Sequence, residues 1–436
     1  MKVVTPTYQS TRGKSPDISF DEALMSGLAP DGGLYLPSSY PQLPGDWKSA
    51  KSLIKLASII FSLYVNQRIQ ASLFEDALDF PIPIKILSRE RYVLELFHGP
   101  TLAFKDIGAR VMARMMQTAY QDSPQKLTIL VATSGDTGSA VADAFSGLDG
   151  IEVVVFYPKG LVSQLQETQL ITVRPGVRTF AVNGTFDDCQ RLVKAAFLEP
   201  RLKGMLLTSA NSINIGRLLP QALYYLWGAL EVERISAGKT QEIVVSVPGG
   251  NLGNLTGGVL ATRMGLSVRR FIAAHNDNDY FPEFLAGNRC AFDFKNTIPT
   301  ISNAMDVGAP SNFERIHALS RNSSDEAIWG VSVDDETTLK RISITDSEDD
   351  YIVCPHTAVA LEAAERYRLC TEDNSPILIL GTAHPAKFPT ALEKALKRSP
   401  PYSERLEELR SLPTHFEELE PTKDALIEML LQHGGS

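Results

Sequence analysis

A lysine set in a tight apolar loop is the residue of this 436-residue chain with the clearest chemical potential. Lys105 ends the run that begins at His98, in which Gly99 and Pro100 make a turn and Leu102 and Phe104 supply apolar cover. Ile107, Val111 and Met115 then recur every four residues, the spacing of one helix face. An amine at such a loop-to-helix junction, half dried by its neighbours, is a candidate for a lowered pKa and for Schiff-base chemistry. Most lysines are solvated surface charges, so the case rests on what the rest of the chain brings.

Two glycine-bearing loops supply it. Ala132 to Ser139 follows an apolar strand and opens a helix, so backbone N–H groups and the hydroxyls of Ser134 and Thr137 converge where anions are favoured, and these two could hold a carboxylate. The second loop, Val247 to Gly258, has glycines at 249, 250 and 253 that let the backbone approach a ligand, and a helix beginning near Gly253 points its positive end there. A phosphate is the natural guest. No Gly-Lys-Ser/Thr follows, and the glycine spacing does not fit a dinucleotide fingerprint, so a nucleotide is disfavoured. Leu378 to Phe388 is a third strand–turn–helix passage, placing Thr382 at the C-terminal edge of a sheet. An amine for an aldehyde, a cradle for a phosphate and a hydroxyl for a ring nitrogen together describe pyridoxal 5′-phosphate.

The elements that must position these groups alternate. Leu127–Ala132, Ile151–Tyr157, Val177–Val182, Met205–Thr208, Glu242–Val247, Arg270–Ala274 and Pro376–Leu380 read as buried strands. Ser139–Phe145, Phe186–Phe197 and a long Ile213–Leu230 segment containing Pro220 read as helices. This rhythm predicts an α/β fold with parallel sheet covered by helices on both faces. Residues 1–95 differ, with a turn at Asp31-Gly32-Gly33 and helix over 51–78, and are expected to form a separate N-terminal domain. The expected division continues with α/β units at 96–230 and 231–400, free to interleave, and a helical extension at 401–436 that ends in a helix over Lys423–Gln432; Glu404–Arg410 reads as a solvated charged helix face.

Bulk properties remove other classes. A net charge of −9 gives no nucleic-acid footprint, so an anionic substrate must be drawn by local groups. Met1–Pro6 lacks the apolar core of a signal peptide, and Leu53–Val65 is too short and too interrupted to span a bilayer. Cys189, Cys290, Cys354 and Cys370 have no zinc or disulfide spacing. His98, His356 and His384 show no metal-ligand spacing and read as structural. A cytoplasmic protein with no membrane, metal or nucleic-acid partner is expected.

The motifs resemble those of threonine synthases, within the tryptophan-synthase-β-like (fold type II) class of pyridoxal-phosphate enzymes. The resemblance is carried by Tyr8–Gly13, Gly27–Tyr35, His98–Asp106, Ala132–Gly138, Ser209–Asn214, Gly250–Asn254, Ser311–Arg315, Pro355–Val359 and Thr382–Phe388, in the family's order; the two N-terminal strings mark its long bacterial and fungal branch. It implies parallel-rich sheets flanked by helices, with an extra N-terminal domain. It implies Lys105 as the Schiff-base lysine. Gly250, Asn251, Leu252, Gly253 and Asn254 would hold the cofactor phosphate, and Thr382 would meet the pyridine nitrogen. Asp136 stands where many relatives outside threonine synthase have an asparagine beside the cofactor ring.

The implied reaction is a β,γ-elimination and replacement that converts O-phospho-L-homoserine and water to L-threonine and phosphate, with Lys105 moving protons at Cα and Cβ. Thr101, Ser134 and Thr137 are candidates for the substrate carboxylate; Arg217, Asn211 and Asn214 for its phosphate. The chain is expected to be a monomer or homodimer. It departs from the family at Ile215-Gly216, usually Trp-Ala, and at Ala309, commonly asparagine, which bears on substrate details. Two alternatives remain open: a sister enzyme such as a serine/threonine dehydratase or O-acetylserine sulfhydrylase, or an idle relative that binds phosphorylated metabolites.

Overall fold

Continuous apolar runs become strands buried on both faces, and these are sorted into two sheets. The computed structural model describes residues 5–65, 70–120, 125–238, 242–320 and 328–433. A small antiparallel pair, β1 (Tyr8–Ser10) and β2 (Tyr35–Pro37), lies in the N-terminal region. A six-stranded sheet takes β3 (Ile84–Leu87) and β4 (Arg91–Glu95). A five-stranded sheet then takes β5 (Leu127–Ala132), β6 (Ile151–Pro158), β7 (Val177–Val182) and β8 (Leu206–Ser209). The chain returns to the larger sheet with β9 (Ile243–Pro248), β10 (Val268–His275), β11 (Ile328–Ser332) and β12 (Ile377–Gly381). It closes the smaller one with β13 (Glu417–Leu419).

The larger sheet runs β11-β10-β9-β12-β4-β3 and is parallel except for the β3–β4 hairpin. The smaller runs β13-β7-β6-β5-β8 and is parallel throughout. Every residue of β5, β6, β9 and β12 is buried, as helix-covered parallel strands require. Because β3 and β4 belong with β9–β12, a boundary at residue 95 cuts through the larger sheet. The C-terminal extension is likewise more than helical: β13 joins the edge of β7, and the helix Lys423–His433 packs its Leu426, Ile427 and Leu430 into the smaller unit's core.

The expected helix over 51–78 is two helices, Leu53–Tyr64 and Ala71–Ala77, and its residues 66–69 lie outside the described ones. The expected Ile213–Leu230 helix is also two, Ile215–Leu218 and Gln221–Ile235. Pro220 divides them, because it lacks the N–H that would continue the ladder and its ring crowds the preceding turn. Among the described residues no helix is long and apolar enough to cross a membrane, and no cluster of His, Cys, Asp and Glu could hold a metal.

Candidate active site

Parallel strands leave their connecting loops at one end, and here five strand ends from the two sheets surround one cavity of about 190 Å³. The loop after β4 leads to Lys105, the first residue of the helix Lys105–Tyr120. That loop is stitched to the segment after β12. Leu96 N donates to Gly381 O (2.9 Å), Phe104 N to Thr382 O (2.9 Å) and His384 N to Leu102 O (3.1 Å). Lys105 and Thr382 therefore line the same wall. After β5, Ser134, Asp136 and Thr137 enter the lining at the start of the helix Asp136–Phe145. After β8 come Asn211 and Arg217.

The loop after β9 contributes Gly250, Asn251, Leu252, Gly253 and Asn254. Its glycines are required by close approach. A Cβ on Gly249 would lie 2.4 Å from His275 Nε2, and one on Gly250 would lie 3.0 Å from Met305 Cα. Leu252 takes a left-handed conformation (φ 58°) and gives the helix Gly253–Arg263 no side-chain cap, so its first N–H groups remain for a ligand. Asn251 is fixed by donating to Ser212 Oγ (2.7 Å). Asn254 Oδ1 accepts from Tyr224 and Tyr225 hydroxyls (2.7 and 2.9 Å), while its buried Nδ2 has no partner. A donor buried without a partner is costly unless a ligand completes it.

Burial sets the electrostatics. Lys105 is pushed down to about 8 by burial; Asp136 opposes this, and Arg217 and Lys387 add to it. Burial would raise the Asp136 carboxyl, but Lys387 and then Lys105 outweigh it and hold it far below the usual carboxylate range. Burial lowers His356 to about 4, against the pull of Asp136. His356 is thus neutral near pH 7; its Nε2 accepts from Ala304 N (3.1 Å), which places its proton on Nδ1. Burial lowers Arg217 to about 10, so it stays charged; Nη1 donates to Ala210 O (2.7 Å) and buried Nε has no partner.

Two expected residues lie elsewhere. The Thr101 hydroxyl donates to Asp106 Oδ1 (2.5 Å) and its N–H to Oδ2 (2.9 Å), so Thr101 fixes the loop and is absent from the cavity lining. Asn214 is wholly buried and caps the helix Ile215–Leu218; its Nδ2 donates to Leu24 O (2.8 Å) and Ser209 O (3.0 Å). Sequence reading treated both as ligand groups because polar residues in a motif look alike whether they face a ligand or the backbone. It missed Lys387, whose side chain is wholly buried and donates to Asp136 Oδ1 (2.7 Å) and Thr101 O (3.0 Å). Its place in the Thr382–Phe388 string was the available signal. His356 joins the lining, whereas His98 bonds Glu95 and His384 caps its own turn at Ala386 N. At the departures, Ala309 lines the cavity, and a Cβ on Gly216 would lie 2.2 Å from Leu24 Cδ1, so glycine admits the N-terminal helix Phe20–Ser26.

The donor set fits pyridoxal 5′-phosphate. A glycine cradle, an uncapped helix end and an orphaned amide suit its phosphate, and a half-buried amine with lowered pKa suits its aldehyde.

Comparisons with known proteins agree. Residues 84–382 match the family described as pyridoxal-phosphate dependent enzyme, 7–79 match the threonine synthase N terminus and 357–429 the threonine synthase C-terminal family. A threonine synthase of Haemophilus influenzae is 41% identical over 92% of this chain and 94% of its own. The crystal structure of threonine synthase from Escherichia coli is 38% identical, covers 98% of this chain and 100% of that one, and superposes with a TM-score of 0.89. The PLP-bound threonine synthase structure from Brucella melitensis is 32% identical, with a TM-score of 0.89 over 99% of this chain and 100% of that one.

Proposed function

The chain belongs to the threonine synthase family, and on that premise we propose that the cavity between the two sheets is its active site, with Lys105 as anchor and base. The enzyme is a pyridoxal-phosphate-dependent lyase that converts O-phospho-L-homoserine and water to L-threonine and phosphate. When bound, the cofactor supplies an electron sink that acidifies the substrate's Cα and Cβ protons.

This chain's residues do the rest. The Lys105 amine would hold the cofactor's aldehyde and, when free, would accept the substrate's Cα proton as general base. The N–H groups of Gly250, Asn251, Leu252, Gly253 and Asn254, with the free Asn254 amide, hold the cofactor phosphate. Thr382, in the cavity wall, would offer the ring nitrogen a neutral hydroxyl. Ser134 and Thr137, at a helix N-terminus, take the substrate carboxylate. Arg217, charged and with Nε unpartnered, takes the leaving phosphate together with Asn211.

One observation carries this reading: a half-buried lysine amine of lowered pKa and an orphaned amide beside a glycine cradle share one cavity. Phosphate release and threonine formation from O-phospho-L-homoserine should far exceed ammonia release from serine. Lys105→Ala should lose both turnover and the visible absorbance of the bound cofactor. Ammonia release as the faster reaction, or an Ala variant that keeps its colour and turnover, contradicts it.

A further inference from the structure

The charge beside Lys105 is itself held in place from the other side of the molecule. Asp136 follows β5 of the smaller sheet, and Lys387 follows β12 of the larger, so their 2.7 Å ion pair crosses between the two units. The Lys387 side chain is wholly buried, and that of Asp136 is 4% exposed. Lys387 Nζ also donates to Thr101 O (3.0 Å), on the loop that leads to Lys105. Gln166 Nε2 donates to the same Asp136 Oδ1 (3.3 Å), and Gln166 Oε1 accepts from Asn303 Nδ2 (3.0 Å). Both bonds to Asp136 thus land on one oxygen of a carboxylate that borders the cavity. A buried carboxylate keeps its charge only with a partner of this kind.

We propose that Lys387 is a positioning residue: its buried ion pair keeps Asp136 ionised and fixed beside Lys105, making Asp136 the counter-ion for the positive charge that forms on the Lys105 nitrogen. This rests on Lys105 being the cofactor anchor. The groups facing the pair are Lys105 and neutral His356, from the helix Pro355–Thr371, on the Asp136 side, and Asp106, held by its Thr101 bonds, and His384 on the Lys387 side; Arg217, from the helix after β8, acts on Lys105 and Asp106. Of these anions only Asp136 acts on Lys105 among its main influences. Lys387 is otherwise one more cation in a site that already has Arg217, so its use lies in what it does for Asp136.

The test is a pH titration of the visible absorbance of the cofactor-loaded protein, which reports protonation of the nitrogen linking cofactor to Lys105. Removing the counter-ion disfavours the protonated form, so Asp136→Asn should lower the midpoint by about one to three units, the usual effect of an opposite charge a few ångströms away. Lys387→Met should also lower it: losing that cation would by itself raise the midpoint, but the stranded carboxyl takes up a proton and the nearer negative charge is lost. In the Asp136→Asn background, however, Lys387→Met should not lower it further. An unchanged midpoint in Asp136→Asn, or an equal drop from Lys387→Met in both backgrounds, overturns the proposal. If Lys387→Met does not fold, Asp136→Asn alone decides. Should Lys105→Ala keep the visible band, the anchor assignment falls; should it lose the band while Asp136→Asn titrates as wild type, only this inference falls.

Discussion

A residue's chemistry here follows from its surroundings more than from its type. Lys105 is half-buried and Lys387 wholly so, yet Lys105 has its ammonium form disfavoured while Lys387 is locked on a carboxylate. The sequence made Lys105 legible because turn, apolar cover and helix spacing are all local. Lys387 was not legible, because its partner lies 251 positions away and its burial is a tertiary fact. Thr101 and Asn214 were misplaced for the converse reason: their motifs were visible, but not the Asp106 carboxylate and Leu24 carbonyl that occupy them. The glycine loop is where a single residue can be tested. Valine at Gly250 would begin with a Cβ 3.0 Å from Met305 Cα and 3.1 Å from Ala304 O, both backbone atoms that yield little. Gly250→Val should weaken cofactor binding at least tenfold, about 1.4 kcal/mol. Equilibrium dialysis against the cofactor checks it, and unchanged affinity would count against the cradle.

At the scale of elements, hydrophobic runs located the buried strands to within about two residues, since helix-covered parallel strands have no polar face to blur them. The hairpin β3–β4 escaped because its Arg91 and Lys85 look like surface residues. Arg91 is in fact buried, donating to Asp349 (2.9 Å), to Glu365 (3.1 Å) and to Ser88 O (2.9 Å), and so ties the hairpin to the helices Asp335–Asp349 and Pro355–Thr371. Removing one member of a buried ion network strands the others. Arg91→Met should therefore destabilise by about 3–5 kcal/mol. Chemical denaturation measures this; a change below about 1 kcal/mol would mean that the two carboxylates find other partners.

For the whole molecule, the two units are threaded through each other: β3 and β4 precede the smaller sheet, β9–β12 follow it, and β13 returns to it. No linear division of the sequence could express this, because strand order in a sheet depends on pairings between distant segments. The consequence is that the cofactor site draws on loops of both sheets, so occupancy should stabilise the fold as a unit. At cofactor one hundredfold above its dissociation constant the gain is about 2.7 kcal/mol. Thermal melts of the loaded and cofactor-stripped full chain should differ accordingly, and coincident melts would contradict a site shared by both units. The most direct measurement of the central claim is borohydride reduction of the loaded protein, followed by proteolysis and mass mapping of the pyridoxyl-modified lysine. The modification is predicted on Lys105 and absent from Lys387. Finding it on Lys387, or on any other lysine, would contradict the account.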